Sequence, residues 1–364
     1  MKKIYIGLIL FFLTATLCAC AKSDKAADTN PASQATTRTG NILDTPEINY
    51  REVDIPIPAD FSPHEVRFMG REVFLFDGQN VLVMDQEGNE LRRVIFSDDE
   101  FFIKVDLQSD RSFWAVTADY KEGDSYLSGK IPENISFVLF DRNGAELERV
   151  KADGSQFGKN EVQFHLYRLL TDGDYFYLMS LQAVYIVDKS GQMVMEVKAE
   201  GESLRAGEGI FKSLFRLKDG RVAMASFANS ERANISANFI QIPELKEKTV
   251  EEIMLSTATT DNIYVTGKEG DILFCTANGF YDYDLTTGNQ SLLFNNLQYG
   301  VTLSNMAEIV ILTDGSITIA ERSGAMIDRL TRFVPYVPSE ETAEDVDYSK
   351  AEKRFIWISK CLGR

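Results

Sequence analysis

The octapeptides Val81-Leu82-Val83-Met84-Asp85-Gln86-Glu87-Gly88, Phe137-Val138-Leu139-Phe140-Asp141-Arg142-Asn143-Gly144 and Val184-Tyr185-Ile186-Val187-Asp188-Lys189-Ser190-Gly191 share one template, an apolar strand closed by Asp-x-x-Gly. That ending is a hairpin signal. The carboxylate accepts a backbone N–H two residues on, and glycine takes the positive φ that lets the chain reverse. Weaker copies follow at Phe239 to Glu244, at Tyr281 to Gly288 with one extra turn residue, and at Ile317 to Gly324. The acidic residues stand at 85, 141, 188, 244, 284 and 321, a mean spacing of about 47. Repeating four-stranded units of a β-propeller have that period.

The text between the turns is strand-like, as in Glu72-Val73-Phe74-Leu75-Phe76, Asp174 to Met179, Arg221 to Ala225 and Ile309 to Leu312. Helical periodicity is almost absent. Glu244 to Ile253 is the best helix candidate, although Pro243 and its charges suit a strand or loop equally well. The expected fold is therefore all-β: a single β-propeller of six four-stranded blades over 48–338, with five or seven as alternatives and a β-sandwich pair as the competing architecture. The alternating stretch Ile48 to Ile57 is a candidate to complete the last sheet, since closure removes exposed edges.

The chain has 364 residues, of which 44% are hydrophobic and 26% charged, as in an average soluble globular protein. Its formal charge of −17 repels a phosphate backbone, so nucleic acid is not an expected partner. The start has the plan of an exported bacterial precursor: basic Lys2-Lys3, then 14 uncharged residues from Ile4 to Leu17. A 14-residue helix reaches only ~21 Å, short of the ~30 Å hydrocarbon core. Counting on through Ala21 brings the uncharged stretch to 18 residues, the lower limit for a span, so length alone leaves both anchors open.

Leu17-Cys18-Ala19-Cys20 resembles the lipobox of bacterial lipoproteins, with Cys18 where that pattern prefers Ala, Ser or Thr. The resemblance implies cleavage after residue 19 and diacylation of Cys20, and two acyl chains supply stable attachment. It places the protein on the extracytoplasmic face of the cell membrane. Residues 20–47, rich in Ala, Ser, Thr, Asn and Asp, read as a flexible tether.

Asn278 to Gly288, Ser316-Ile317-Thr318-Ile319 and the exit Leu330 to Pro335 resemble the propeller half of certain Gram-positive lipoproteins. In that family an ABC-type solute-binding domain often follows the propeller. Here residues 339–364 read only as an acidic linker, Glu340 to Asp347, and a short tail containing Phe355-Ile356-Trp357-Ile358. The uptake role is thus not carried over directly. The expected partners are the membrane, through the lipid, and a protein or a small extracellular solute such as a sugar.

No catalytic signature accompanies the repeats. His64 and His165 are the only histidines, and no G-x-S-x-G, P-loop or H-E-x-x-H motif occurs. Cys275 and Cys361 show no metal-ligand spacing, and Cys275 reads as a small buried hydrophobe. Asp85, Asp141 and Asp188 read as turn formers, Asp98-Asp99-Glu100 as a solvated run and Asp172-Gly173-Asp174 as a hairpin turn. No catalytic residue, cofactor or metal is assigned. An alternative function is a propeller enzyme acting on glycan or peptide with carboxylates at the central channel. Two polar insertions, Asp119 to Asn134 and Asn229 to Asn238, are candidates for a binding rim, and deletion of Lys121 to Lys130 is expected to abolish capture without changing the melting curve.

Overall fold

The computed structural model describes residues 36–38, 42–43, 48–96, 101–125, 128–158, 164–199, 209–217, 219–230, 235–255, 264–267, 272–275, 279–299, 301 and 306–336. Residues 1–35 with Cys18 and Cys20, the Asp98 to Glu100 run, Tyr126, Cys361 and the segment after Tyr336 lie outside them.

Among the described residues the strands form six sheets, numbered here in chain order. Sheet one holds β4 (Glu65–Met69), β5 (Glu72–Phe76), β6 (Asn80–Met84) and β7 (Glu90–Ile95). Sheet two holds β8 (Lys104–Leu107), β9 (Phe113–Asp119), β10 (Asn134–Phe140) and β11 (Glu146–Asp153). Sheet three follows with β12 (Arg168–Thr171), β13 (Tyr175–Met179), β14 (Ala183–Asp188) and β15 (Met193–Lys198). Sheet four has β16 (Gly209–Arg216), β17 (Val222–Ser230), β18 (Ile235–Glu244) and β19 (Thr249–Leu255). Sheet five has β20 (Tyr264–Gly267), β21 (Ile272–Cys275), β22 (Gly279–Tyr283) and β23 (Gln290–Asn295). Sheet six has β24 (Met306–Ile311), β25 (Ile317–Ser323) and β26 (Met326–Tyr336). Its outermost strand is β3 (Asn49–Ile55), paired along its whole length from Asn49↔Tyr336 to Ile55↔Leu330.

Each neighbouring pair of sheets shares an apolar core. Phe74 and Val83 of sheet one pack with Phe113 and Val138 of sheet two. Trp114 and Phe137 then meet Phe176 and Tyr185 of sheet three, with Phe137 stacked on Phe176 at 4.0 Å. Tyr177 and Ile186 meet Phe211 and Met224 of sheet four, and Phe215 and Ile240 meet Tyr283 of sheet five. Cys275 and Phe280 meet Ile319 and Phe333 of sheet six. Ala320 and Leu330 close the circuit on Val73 and Leu82 of sheet one. This arrangement is a single all-β propeller. Each fully buried aromatic ring adds ~1.5–3 kcal/mol, so the blade interfaces are the main store of stability.

The Asp-x-x-Gly turns close as their chemistry requires. Asp188 Oδ1 accepts from the Ser190 N at 2.8 Å and the Gln192 N at 3.1 Å, while the Gly191 N donates to the Asp188 carbonyl at 3.0 Å. Asp85, Asp141 and Asp284 do the same between β6 and β7, β10 and β11, and β22 and β23. Asp172 is likewise a turn former, accepting from the Asp174 and Tyr175 backbone and from the Tyr177 hydroxyl at 2.7 Å. Cys275 is fully buried in the core between sheets five and six.

Three local readings are corrected. Glu244 to Ile253 is a β18–β19 hairpin with Lys248 at φ 53°, its ladder running through Pro243↔Val250 to Glu244↔Thr249. The Ile317 to Gly324 copy joins the second and third strands of its sheet, whereas the other five join the third and fourth. Sheet six takes its fourth strand from the start of the chain, so it has no such third turn. Within the stretch read as tether, β1 (Thr36–Arg38) and β2 (Ile42–Leu43) run parallel to the outer strands β19 and β23, turning sheets four and five into five-stranded sheets. Such edge pairing is carried by backbone groups and needs no apolar pattern.

Gly191 and Gly173 provide a test of the turn argument. Both have positive φ, 83° and 101°, but a Cβ on Gly191 would also meet the Lys151 carbonyl oxygen, whereas Gly173 has open space. Denaturant unfolding should show Gly173→Ala costing about 1 kcal/mol and Gly191→Ala at least about twice that.

Candidate functional site at the ring axis

The first strand of each sheet is its innermost, and β4, β8, β12 and β16 succeed one another around the axis, followed by β20, with β24 beside β4. These strands carry charge in alternation with apolar residues. Glu65 and Arg67 lie on β4, Lys104 and Asp106 on β8, Arg168 on β12, Lys212 and Arg216 on β16 and Glu308 on β24. Alternation sends the apolar partners, such as Val66, Val105 and Leu169, into the blade interfaces and leaves the charges to one another.

All but Lys212 fall into two clusters of ion pairs and hydrogen bonds, one around Glu65 and Glu308 and one around Asp106. Glu65 pairs with Arg67 at 2.5 Å and with Lys104 at 2.8 Å. Arg67 donates to the Val66 carbonyl at 2.7 Å and to the Val105 carbonyl of sheet two at 2.8 Å. Glu308 of sheet six receives the guanidinium of Arg168, from sheet three, at 2.5 Å and lies 3.6 Å from that of Arg67. Asp106 accepts from Arg216 of sheet four at 3.0 Å, from the Thr171 N at 2.9 Å and from Gln108 at 3.1 Å. Arg216 also donates to the Thr171 carbonyl. Glu65, Arg67, Asp106 and Glu308 are each no more than 7% exposed.

Burial pushes the Glu65 carboxyl up, but Arg67 and Lys104 outweigh it and hold it at about 2. Glu65 is therefore a fixed anion rather than a proton donor. Burial lowers the Lys212 ammonium, and among the described residues no carboxylate stands beside it. The arrangement suits holding charge in place.

His64 stands within electrostatic reach of Glu65 and Lys104 and so borders this network. His64 precedes β4, stacks on Phe101 at 5.7 Å and donates through Nε2 to the Phe102 carbonyl at 3.2 Å, and burial lowers its pKa. His165 sits just ahead of β12. Among the described residues no group of three or more His, Cys, Asp or Glu is placed to hold a metal, and no helix is long and apolar enough to cross a membrane.

The two polar insertions both join second to third strands, in sheets two and four, so they emerge on one face. The opposite face carries first-to-second turns linked by exposed pairs, among them Arg71–Asp314 at 2.9 Å. The sheet-two insertion is tied down. Phe164, in the core, donates to the Gly129 carbonyl at 2.7 Å, Gly154 to Glu133 at 2.8 Å, and burial pushes the Tyr120 hydroxyl up to about 12. Deleting Lys121 to Lys130 would strip the Phe164 amide of its acceptor, so the expectation of an unchanged melting curve does not hold.

The axial network was missed in reading the chain. Its signal was there, as charged residues two apart (Glu65-x-Arg67, Lys104-x-Asp106) in the strand that opens a unit, where apolar text prevails elsewhere.

Removing one partner of a buried pair leaves the other charge stranded, which costs about 3–5 kcal/mol. Glu65→Gln should be destabilised by about that much at neutral pH. Because the folded Glu65 carboxyl lies below its unfolded value, its contribution is present above ~4.3 and is lost as pH falls toward about 2. Denaturation at a series of pH values should show the parent losing stability across that window, with Glu65→Gln flatter there.

No family model matches the chain, and no curated protein matches it. Solved propellers are similar at low identity. The extracellular domain of the hybrid two-component system BT4673 from B. thetaiotaomicron is 10% identical with a TM-score of 0.45, over 83% of this chain and 36% of that one. A streptogramin B lyase structure is 11% identical with a TM-score of 0.43, over 79% and 98%. The WD40 domain of Neurospora crassa Pan2 is 9% identical with a TM-score of 0.42, over 76% of each chain.

Proposed function

We propose that the protein is a lipid-anchored, extracytoplasmic binding propeller without a catalytic step, attached through diacylated Cys20. Its propeller presents a protein partner or a small extracellular solute with one recognition face. The axial network carries this reading. A two-carboxylate hydrolase needs a carboxyl held protonated at working pH, whereas Glu65 is ionised and its cations are engaged in holding blades together. The second-to-third connections supply a rim of loops on a rigid frame, the usual place for recognition. The lipobox-like Leu17 to Cys20 supports the anchor.

Cells fed an alkynyl fatty acid should label the parent chain and leave Cys20→Ser unlabelled, with the variant released from the membrane fraction. An unlabelled parent chain would remove the anchor from this reading.

A further inference from the structure

Sheets four and five each take a fifth strand on the outside. β1 runs parallel to β19 over Ile253–Leu255 and β2 runs parallel to β23 over Gln290–Ser291, so these outer strands accept an extended segment through their backbone. Sheet one has no such cover among the described residues, because β7 ends its strand order. The Phe96 N–H points inward to the Gln79 carbonyl at 3.1 Å, and alternation along an antiparallel pair turns the N–H groups of Arg93 and Ile95 outward. Open edges are usually blunted by charge. β7 nevertheless exposes two large apolar side chains. Ile95 is 76% exposed, the highest value among the large hydrophobic residues described, and Leu91, the extra residue of the β6–β7 bulge, is 54% exposed. On β15, the outer strand of sheet three, no residue of that kind is exposed.

The chain leaves the ring beside this edge. β26 is the third strand of sheet six, and β3 holds the fourth place, so the chain departs after Tyr336 where the other sheets turn into their fourth strand. Arg332 reaches Glu87, in the β6–β7 turn of sheet one, at 3.3 Å, and Pro56, which follows β3, lies against Gly88 of the same turn. β7 begins two residues later, at Glu90. Residues 337–354, 18 in number, span up to ~60 Å at ~3.3 Å per residue. They lead to Phe355-Ile356-Trp357-Ile358, a run of β-branched and aromatic residues suited to a strand.

We propose that Phe355–Ile358 docks on the outer edge of sheet one as its fifth strand, parallel to β7, and covers Leu91 and Ile95. A chain departing beside Glu87 meets the start of β7 first, which gives the same parallel sense in which β1 and β2 lie on β19 and β23. Being on the same chain, the segment acts at high effective concentration, so a short ladder suffices. Docked, it closes this edge to foreign strands; released, it offers the edge to them. This placement is independent of the anchored-binder reading above.

Trp114 and Trp357 are the only tryptophans, and Trp114 is 4% exposed, so acrylamide quenching of the whole chain in detergent reads Trp357. Trp357 should be shielded in the parent chain, and Ile95→Lys should raise its quenching several-fold. Hydrogen exchange gives the reciprocal view: the Arg93 and Ile95 amides should exchange about tenfold faster in Trp357→Ser than in the parent. Trp357→Ser lies beyond the ring, so this arm decides the matter even if Ile95→Lys does not fold. Equal exchange of those amides in parent and Trp357→Ser, or shielding of Trp357 that Ile95→Lys leaves unchanged, would overturn the proposal. Shielding lost on dilution as a dimer dissociates would overturn it as well, by assigning the segment to the edge of a second copy.

Discussion

Closure of the ring rests on the pairing of β3 with β26. A propeller built from consecutive hairpins would leave a free edge where its last sheet ends, and here seven residues from the start of the chain fill it, Asn49 to Ile55 against Leu330 to Tyr336. The pairing locks together segments far apart in sequence, so its loop-closure entropy is large and is offset only when every blade interface has formed. Tyr50 shows the coupling at one residue. Its backbone N–H donates to the Tyr299 hydroxyl at 2.7 Å and its ring packs edge-on against Phe294, so the closing strand is held by sheet five as well as by sheet six.

A ring closed at its rim still has to be filled at its centre, and apolar side chains are not what fills it here. The axial ion pairs form two clusters, one joining sheets one, two, three and six and the other sheets two, three and four, with Arg168 and Glu308 bridging sheets three and six. Fixed charges at such a place add little net stability over an apolar plug, because desolvation offsets most of their attraction. What they add is register. Each pair is short only when its strands stand at the right height, so these pairs select one arrangement of the blades over sliding alternatives.

The turns were legible because their chemistry is local. Asp188 and Gly191 need only each other and the residues between them, and the same held at Asp85, Asp141 and Asp284. The copy at Glu321 was legible as a hairpin but not as the wrong hairpin of its sheet, since strand order depends on where β3 inserts. Nor could composition reveal β1 and β2. Thr36 to Arg38 and Ile42-Leu43 pair through main-chain groups with strands more than 200 residues away, and their side chains carry no periodic signal. The axial charges fell between these cases: the i, i+2 spacing was visible, but which face of the strand looked inward was not.

The course of the chain before the first blade also has a mechanical side. From Thr36 the backbone runs along sheet four, then sheet five, then sheet six, making three, two and seven registered residue pairs in turn. A pull applied upstream of Thr36 therefore peels the two short parallel contacts before it loads the long antiparallel one. The N-terminal stretch works as a strain relief, yielding length under tension while the ring stays shut.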